Sequence, residues 1–308
     1  MNRRAYLSGV SLGAFSVLSG CVGNGSDSSE SNGDDPGGSI SDDPDSNGGD
    51  PDGFVVETVS GEVEHPWGIA FLPGDQRLLV TERDSGQLVL LDRDSGVTES
   101  IGGVPAVFSA GQGGLLDVAV HPEFPDEPWV YLSYAARNDE GESSTHLGRG
   151  RLDLEASRFS TFERLHAADP FVDSDAHYGS RVVFGDDGAV YLTVGDRQFK
   201  NFGPDHVAQD TSNELGTTLR LTPDGSVPDD NPFVDEPDVR DTIFSYGHRN
   251  AQGMAVHPET GGLWQSEHGE QDGDEINVIE RGGNHGWPIA TYACTYSGGE
   301  PIGDLPHE

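Results

Sequence analysis

The chain has 308 residues, with 54 Asp and Glu against 17 Lys and Arg, giving a formal net charge of −37. No basic stripe of the kind that DNA or RNA needs can be drawn from that balance, so nucleic-acid partners are excluded. Sixteen of the 17 basic residues are arginine and only Lys200 is lysine, a composition expected of a protein kept soluble in concentrated salt, where self-repulsion is screened. Against such a background a lone carboxylate says little about chemistry.

The N-terminus reads as an address. Arg3-Arg4 precede Tyr6-Leu7 and a mildly apolar stretch to Leu18, the pattern of a twin-arginine export signal. That stretch is too short and too rich in Gly and Ser to span a bilayer. It ends in Leu18-Ser19-Gly20-Cys21, which looks like a lipobox. Residues 1–21 are therefore expected to be a lipoprotein signal, with the exported chain tethered by a lipid on Cys21 to the outer face of the cytoplasmic membrane. Residues 22–53 hold nine acidic residues, no basic ones and almost nothing apolar. Burial cannot offset the entropy of ordering them, so a disordered acidic linker is expected. The folded region, 54–308, keeps 45 acidic and 15 basic residues, a net of −30.

From Phe54 onward, period-two apolar runs alternate with glycine turns. Four segments share this grammar. The first contains Trp67–Phe71, Arg77–Thr81 and Gln87–Asp92. The second contains Gly114–His121, Trp129–Tyr134 and Gly148–Leu154. Ser180–Phe184, Val190–Val194 and Thr217–Leu221 make the third, and Gly253–His257, Gly262–Ser266 and Glu275–Ile279 the fourth. No stretch has the period of a substantial helix. Repeats of several strands at 45–75 residues predict an all-β propeller. Four blades are few for a closed ring, so either a small propeller or a fragment of a larger one is expected. Two cysteines, Cys21 and Cys294, are too few for a disulfide framework, and Cys294 is expected to be a free thiol without a catalytic role.

Four polar clusters exceed what turns need. Gly111-Gln112-Gly113-Gly114 opens a strand and not a helix, so it is no nucleotide loop. His177-Tyr178-Gly179 lies one strand before Gly195-Asp196, placing a histidine and a carboxylate where they could act as base and orienting partner. The other two are Tyr246-Gly247-His248-Arg249-Asn250 and the run from Glu267 to Asn277, continuing to Gly286-Trp287-Pro288.

Taken in order with His65-Pro66-Trp67 and Asp229-Asp230-Asn231-Pro232-Phe233, these motifs resemble the soluble aldose sugar dehydrogenases that use pyrroloquinoline quinone (PQQ), the glucose/sorbosone dehydrogenase family. The resemblance runs from about His65 to Tyr296. It implies a six-bladed propeller of which this chain covers roughly four to five blades, with 54–308 a C-terminally incomplete dehydrogenase domain. It implies oxidation of the anomeric C1 hydroxyl of an aldose to a lactone, with hydride passing to PQQ and electrons to an external acceptor. Position by position it makes His177 the general base, Asp196 its orienting carboxylate, and Arg249 a stabiliser of charge on the reduced quinone. Gln112, Arg249, Asn250 and Tyr296 match cofactor contacts. Backbone carbonyls of Gly269 and Glu270 match a Ca²⁺ site beside the quinone, and Glu275 with His285 a second, structural one. Two positions depart from the family: Glu270 stands where proline is usual, and His285 where tyrosine is usual. Two other readings compete with the dehydrogenase, a calcium-dependent propeller lactonase drawing on Asp196, Asn250 and Glu275, and a non-catalytic surface-binding propeller.

Overall fold

The computed structural model describes residues 55–303; the expected signal, 1–21, and linker, 22–53, lie outside the described residues. Fifteen strands form four antiparallel sheets, each in chain order. The first contains β1 (Pro66–Phe71), β2 (Arg77–Glu82), β3 (Gln87–Asp92) and β4 (Thr98–Ile101). The second contains β5 (Leu115–Val120), β6 (Trp129–Arg137), β7 (Ser143–Asp153) and β8 (Arg158–Ala167). The third is β9 (Val182–Phe184), β10 (Val190–Val194), β11 (Thr217–Leu221) and β12 (Ile243–Tyr246), and the fourth β13 (Ala251–Val256), β14 (Leu263–Glu267) and β15 (Glu275–Val278). Among the described residues the helical structure is one 3-10 turn, Val207–Gln209, and no helix is long and apolar enough to cross a membrane.

Each sheet packs face to face on the next, because alternate side chains on each strand point into the gap. Leu79, Leu88 and Leu90 meet Leu115, Val130 and Leu132 between the first two sheets. Tyr131 and Leu147 meet Val190, Leu192 and Leu219 in the second gap. Tyr191 meets Met254 and Leu263 in the third. The first strands β1, β5, β9 and β13 adjoin in succession and form the inner edge of the stack. This is a four-sheet, propeller-like arrangement.

A repeated device locks those inner strands together. The ladders β1–β2, β5–β6 and β13–β14 shift register between Pro66 and Ile69, Leu115 and Val118, and Ala251 and Gly253. Such irregularities re-aim the extra residues away from the ladder. In the first sheet the hydroxyl of Thr81 accepts the Gly68 N–H at 2.8 Å and donates to the carbonyl of Leu116 in the second. Ser133 accepts the Asp117 N–H at 2.9 Å and donates to the Ser180 carbonyl at 2.5 Å. Thr193 accepts the Arg181 N–H at 2.9 Å and donates to the Ala251 carbonyl at 2.8 Å. In each of the first three sheets one buried hydroxyl thus satisfies a backbone donor at the inner edge and an acceptor of the next sheet.

Three residues at the irregularities, Trp67, Asp117 and Gln252, gather around Arg181. Asp117 accepts from Arg181 Nη1 at 2.7 Å and from the Val182 N–H at 2.8 Å. Arg181 also donates to the Gln252 carbonyl at 2.7 Å and lies 4.5 Å from the centre of the Trp67 ring. All four inner edges therefore meet at one guanidinium. Burial pushes the Asp117 carboxyl up to about 6, with Arg181 and the Val182 N–H pulling it back, so it remains ionised at neutral pH. Replacing Asp117 by Asn leaves a largely buried arginine without its counter-ion and is expected to cost about 3 kcal/mol in chemical unfolding.

His146 on β7 is buried against Tyr134 and Phe171, and its Nε2 has no partner. Burial, reinforced by the nearby charges of Arg164 and His166, lowers its pKa from 6.5 to about 4. Protonation therefore favours the unfolded chain. The stability gained by keeping this ring neutral is complete above pH 6.5 and is lost as pH falls toward 4, by up to about 3 kcal/mol. Unfolding titrations of His146→Phe should show a flatter dependence across that window than the parent.

Candidate active site

The polar clusters converge because they occupy equivalent places: the loops that enter each first strand and those that leave each second strand. Antiparallel pairing puts both at the same end of the stack. Residues 174–181 enter β9, Gly195–Gln198 leave β10, Gly247–Asn250 enter β13, and His268–Asp274 leave β14.

His177 and Asp196 form the centre. Nδ1 of His177 lies 2.6 Å from Asp196 Oδ1, with both side chains almost fully buried. An ionised carboxylate can only accept, so Nδ1 carries the proton and the lone pair is on Nε2, which has no partner among the described residues. The carboxylate is itself held. The Gln198 N–H donates to Oδ1 at 2.8 Å, and Trp287 Nε1 donates to Oδ2 at 2.9 Å. His206 stands 3.6 Å from Oδ2 as a neutral ring, since its Nδ1 accepts the Ala208 N–H and its Nε2 donates to the Phe199 carbonyl. Burial lowers the pKa of that ring.

The backbone under His177 is strained into place. His177, Ser180, Arg197 and Gln198 all have positive φ, at 46°, 82°, 57° and 63°, conformations that side chains disfavour and that surrounding contacts must impose. Those contacts are visible. Gln112 Oε1 accepts the His177 N–H at 2.8 Å, and Asn250 Oδ1 accepts the Gly179 N–H at 3.1 Å. Arg197, fully buried, donates to the Ala176 and Ser143 carbonyls at 2.8 Å and also to the Ser174 carbonyl. At Gly195 an added Cβ would lie 2.2 Å from the His177 carbonyl oxygen, so only glycine lets the two loops touch. Gln112 and Asn250 thus spend their carbonyl oxygens on the loop and keep their amide NH₂ groups free to donate.

Arg249 sits beside this centre. Its carbonyl accepts the Asp196 N–H at 2.8 Å, and its own N–H donates to Glu267 Oε1. Glu267 Oε2 accepts from His248 Nδ1 at 2.8 Å, and His248 Nε2 faces Ser245 Oγ at 2.9 Å. The guanidinium, 5.4 Å from the Trp287 ring centre, donates to the His268 carbonyl at 3.2 Å and to Glu270 Oε2 at 2.5 Å. Its Nε is buried without a partner.

The structure therefore brings His177, Asp196, Gln112, Asn250 and Arg249 together. Tyr296 lies at the rim, exposed, with Lys200 Nζ 5.7 Å over its ring. Gly269 opens a tight turn in which its N–H donates to Asp274 Oδ1 at 2.8 Å and a Cβ would meet the Asp272 carbonyl. Glu275 Oε2 accepts from Asn277 at 3.2 Å. His285 has different neighbours: it stacks on His248 at 4.6 Å, and burial, with the adjacent His248, lowers its pKa to about 4. Cys294 corrects one expectation. It is disulfide-bonded, so it is not a free thiol.

Three contributors had no individual role assigned from the sequence. Glu267 had a usable signal: in Leu263-Trp264-Gln265-Ser266-Glu267 it falls in the inward phase of an alternating strand. Trp287 was legible as a member of a motif but not as a donor to Asp196. Arg197 gave no signal, because its partner Ser143 is 54 residues away.

The sequence profile of the Glucose / Sorbosone dehydrogenase family matches residues 63–308. The chain belongs to that family. This glucose/sorbosone dehydrogenase family member is 40% identical over 243 residues to the aldose sugar dehydrogenase YliI of Escherichia coli (strain K12), covering 79% of this chain and 64% of the relative. It is 32% identical over 261 residues to quinoprotein glucose dehydrogenase B of Acinetobacter calcoaceticus, covering 78% and 53%. The chain thus spans less than two thirds of the length of either relative. Among solved structures, the apo-form of the soluble aldose sugar dehydrogenase of Escherichia coli gives a TM-score of 0.76 at 39% identity, covering 80% of this chain and 70% of that one. The PQQ-bound aldose sugar dehydrogenase of Streptomyces coelicolor gives 0.67 at 32% identity, covering 82% and 70%.

Gly195→Ala tests the packing of the site directly. A methyl group there should push the His177 loop away and destabilise the fold by about 2–3 kcal/mol. The parent is expected to show a downfield His177 Nδ1–H proton resonance, and this variant is expected to lose it.

Proposed function

We propose that this protein is a PQQ-dependent aldose dehydrogenase, oxidising the anomeric hydroxyl of a sugar to a lactone and passing electrons to an external acceptor. The observation that carries the reading is the buried His177–Asp196 pair, with Nε2 left free beside Arg249, Gln112 and Asn250. Family membership and the PQQ-bound Streptomyces coelicolor structure support it.

The residues present suit an anionic quinone. Arg249 has a buried, unpartnered Nε, and two amide NH₂ groups are uncommitted. Arg249, Gln112 and Asn250 would hold the cofactor, with Tyr296 at the rim. No group of three or more His, Cys, Asp or Glu side chains is arranged for a metal among the described residues. As the resemblance to the family implies, calcium would rest on the main-chain carbonyls of Gly269 and Glu270 beside the cofactor, with Glu275 and His285 proposed for a second ion. The chemistry that bound PQQ supplies is two-electron acceptance of the hydride from the anomeric carbon.

The chain's own contribution is proton transfer and charge control. His177 Nε2 accepts the proton of the anomeric hydroxyl as C1 becomes a carbonyl. Asp196 keeps the ring in the right tautomer and stabilises the imidazolium, while Trp287 and the Gln198 N–H hold that carboxylate in place. Arg249 offsets negative charge as it develops. A lactonase would need Asp196, Asn250 and Glu275 to converge on one metal; here Asp196 and Asn250 are committed to the His177 loop, which favours the dehydrogenase.

We further propose export by the twin-arginine signal, in a high-salt setting. Reconstitution with PQQ and Ca²⁺ should give dye-linked oxidation of aldoses. His177→Ala should lower kcat at least about 100-fold, as loss of a general base does. Asp196→Asn, which allows the wrong tautomer, should fall by a similar factor. Sugar oxidation that survives both substitutions unchanged would sink the reading.

A further inference from the structure

Glu270 is the least expected group near this site. It is an acidic residue on a domain of net −30, yet it is buried. Its two oxygens are divided between two cations: Oε1 lies 2.5 Å from Lys200 Nζ and Oε2 lies 2.5 Å from Arg249 Nη2. Lys200 is the one lysine of the chain. It comes from the segment following Asp196, whereas Glu270 comes from the turn after β14, so the contact joins two loops of the site. The lysine side chain is about half exposed, at 47%, whereas the glutamate side chain is 4% exposed. An incoming ligand can therefore reach the lysine from solvent. The guanidinium is not satisfied by this arrangement, since Nε remains buried and unpartnered.

A carboxylate gripped by an arginine and a lysine is the geometry in which a protein binds a carboxylate ligand. Here the carboxylate is the protein's own. We propose that Lys200 and Arg249 are the carboxylate-binding pair of this site, and that Glu270 occupies the pair as an internal counter-ion until an anionic ligand displaces it. The identity of that ligand as PQQ, a tricarboxylate, rests on the proposed function; the pair and its occupant do not. Without Glu270 the buried Arg249 guanidinium would face Lys200 with no counter-ion between them, so the ligand-free fold needs the glutamate. With the ligand in place the same glutamate is a competitor for the cations, and its displacement subtracts from affinity. Tyr296 and Phe202 flank the lysine, each with its ring centre 5.7 Å from Lys200 Nζ.

The test is calorimetric titration of the calcium-loaded chain, its Glu270→Gln and Lys200→Met variants and the double variant. Two ligands are used: PQQ, and benzene-1,3,5-tricarboxylate as a redox-inactive tricarboxylate. Glu270→Gln should bind both about tenfold more tightly, and Lys200→Met about tenfold more weakly than the parent, as expected for one charge-assisted contact. The double variant should lose most of the gain of Glu270→Gln. Thermal melts of the ligand-free proteins supply a second readout: Glu270→Gln should melt below the parent without ligand and gain more on saturation. Unchanged or weaker binding by a folded Glu270→Gln, indifference to Lys200→Met, or no binding of either ligand to any variant overturns the proposal. Tricarboxylate binding that follows the pattern while PQQ fails to bind would leave the pair standing and remove the proposed function. PQQ binding that ignores both substitutions would do the reverse.

Discussion

The architecture depends on how the inner strands are bound to one another. A sheet buries its faces against its neighbours through apolar contact, but apolar contact does not fix the register of one sheet against the next. Here the hydroxyls of Thr81, Ser133 and Thr193 do so, each tying its own inner strand to the next one by a donor and an acceptor. The Asp117–Arg181 pair then draws residues from all four inner edges to one point. The same register irregularities that free these residues also set where each loop leaves its strand. Site geometry is thus a consequence of inner-edge geometry. In the fourth sheet Ser266 holds the corresponding place opposite Gly253, and it is exposed, as are Trp264, Ile276 and Val278 on the same sheet.

Above that frame the site is organised around one carboxylate. Asp196 faces His177, accepts from Trp287 and the Gln198 N–H, and has its own N–H taken by the Arg249 carbonyl. Buried carboxylates are costly unless nearly every lone pair is satisfied, and this one is. Glu267 has a parallel role in the following sheet, fixing His248 with one oxygen and the backbone of Arg249 with the other. Around Arg249, Glu267 and Asp196 fix the backbone and Glu270 holds the guanidinium. The buried carboxylates concern position.

Much of this was legible in the sequence, and the limits have physical reasons. Three strands of every sheet followed from period-two alternation between glycine turns, because one inward face and one outward face leave that imprint. The outermost strands β4, β8 and β12 did not. Thr98–Ile101 is half exposed, and Arg158–Ala167 is polar along most of its length, so neither carries an apolar rhythm. The candidate residues His177, Asp196, Gln112, Arg249 and Asn250 were singled out by ordered motifs, and the structure makes them neighbours. Arg197 was not, since its role is to satisfy carbonyls of a loop far away in sequence. The ion pairs of Glu270 could not be read either. In a chain with 54 acidic residues a glutamate in a loop resembles every other, and only the fold shows which one is buried between two cations.

The central claim is that the loops at this end of the stack form a quinone site in which His177 faces the sugar. A crystal structure of the protein soaked with PQQ and Ca²⁺ tests it most directly. The account predicts quinone density among Gln112, Asn250 and Arg249, within reach of the His177 Nε2 face, with the Glu270 carboxylate moved off Arg249. Density elsewhere on the protein, or a fully occupied Glu270–Arg249 contact beside bound quinone, would contradict it.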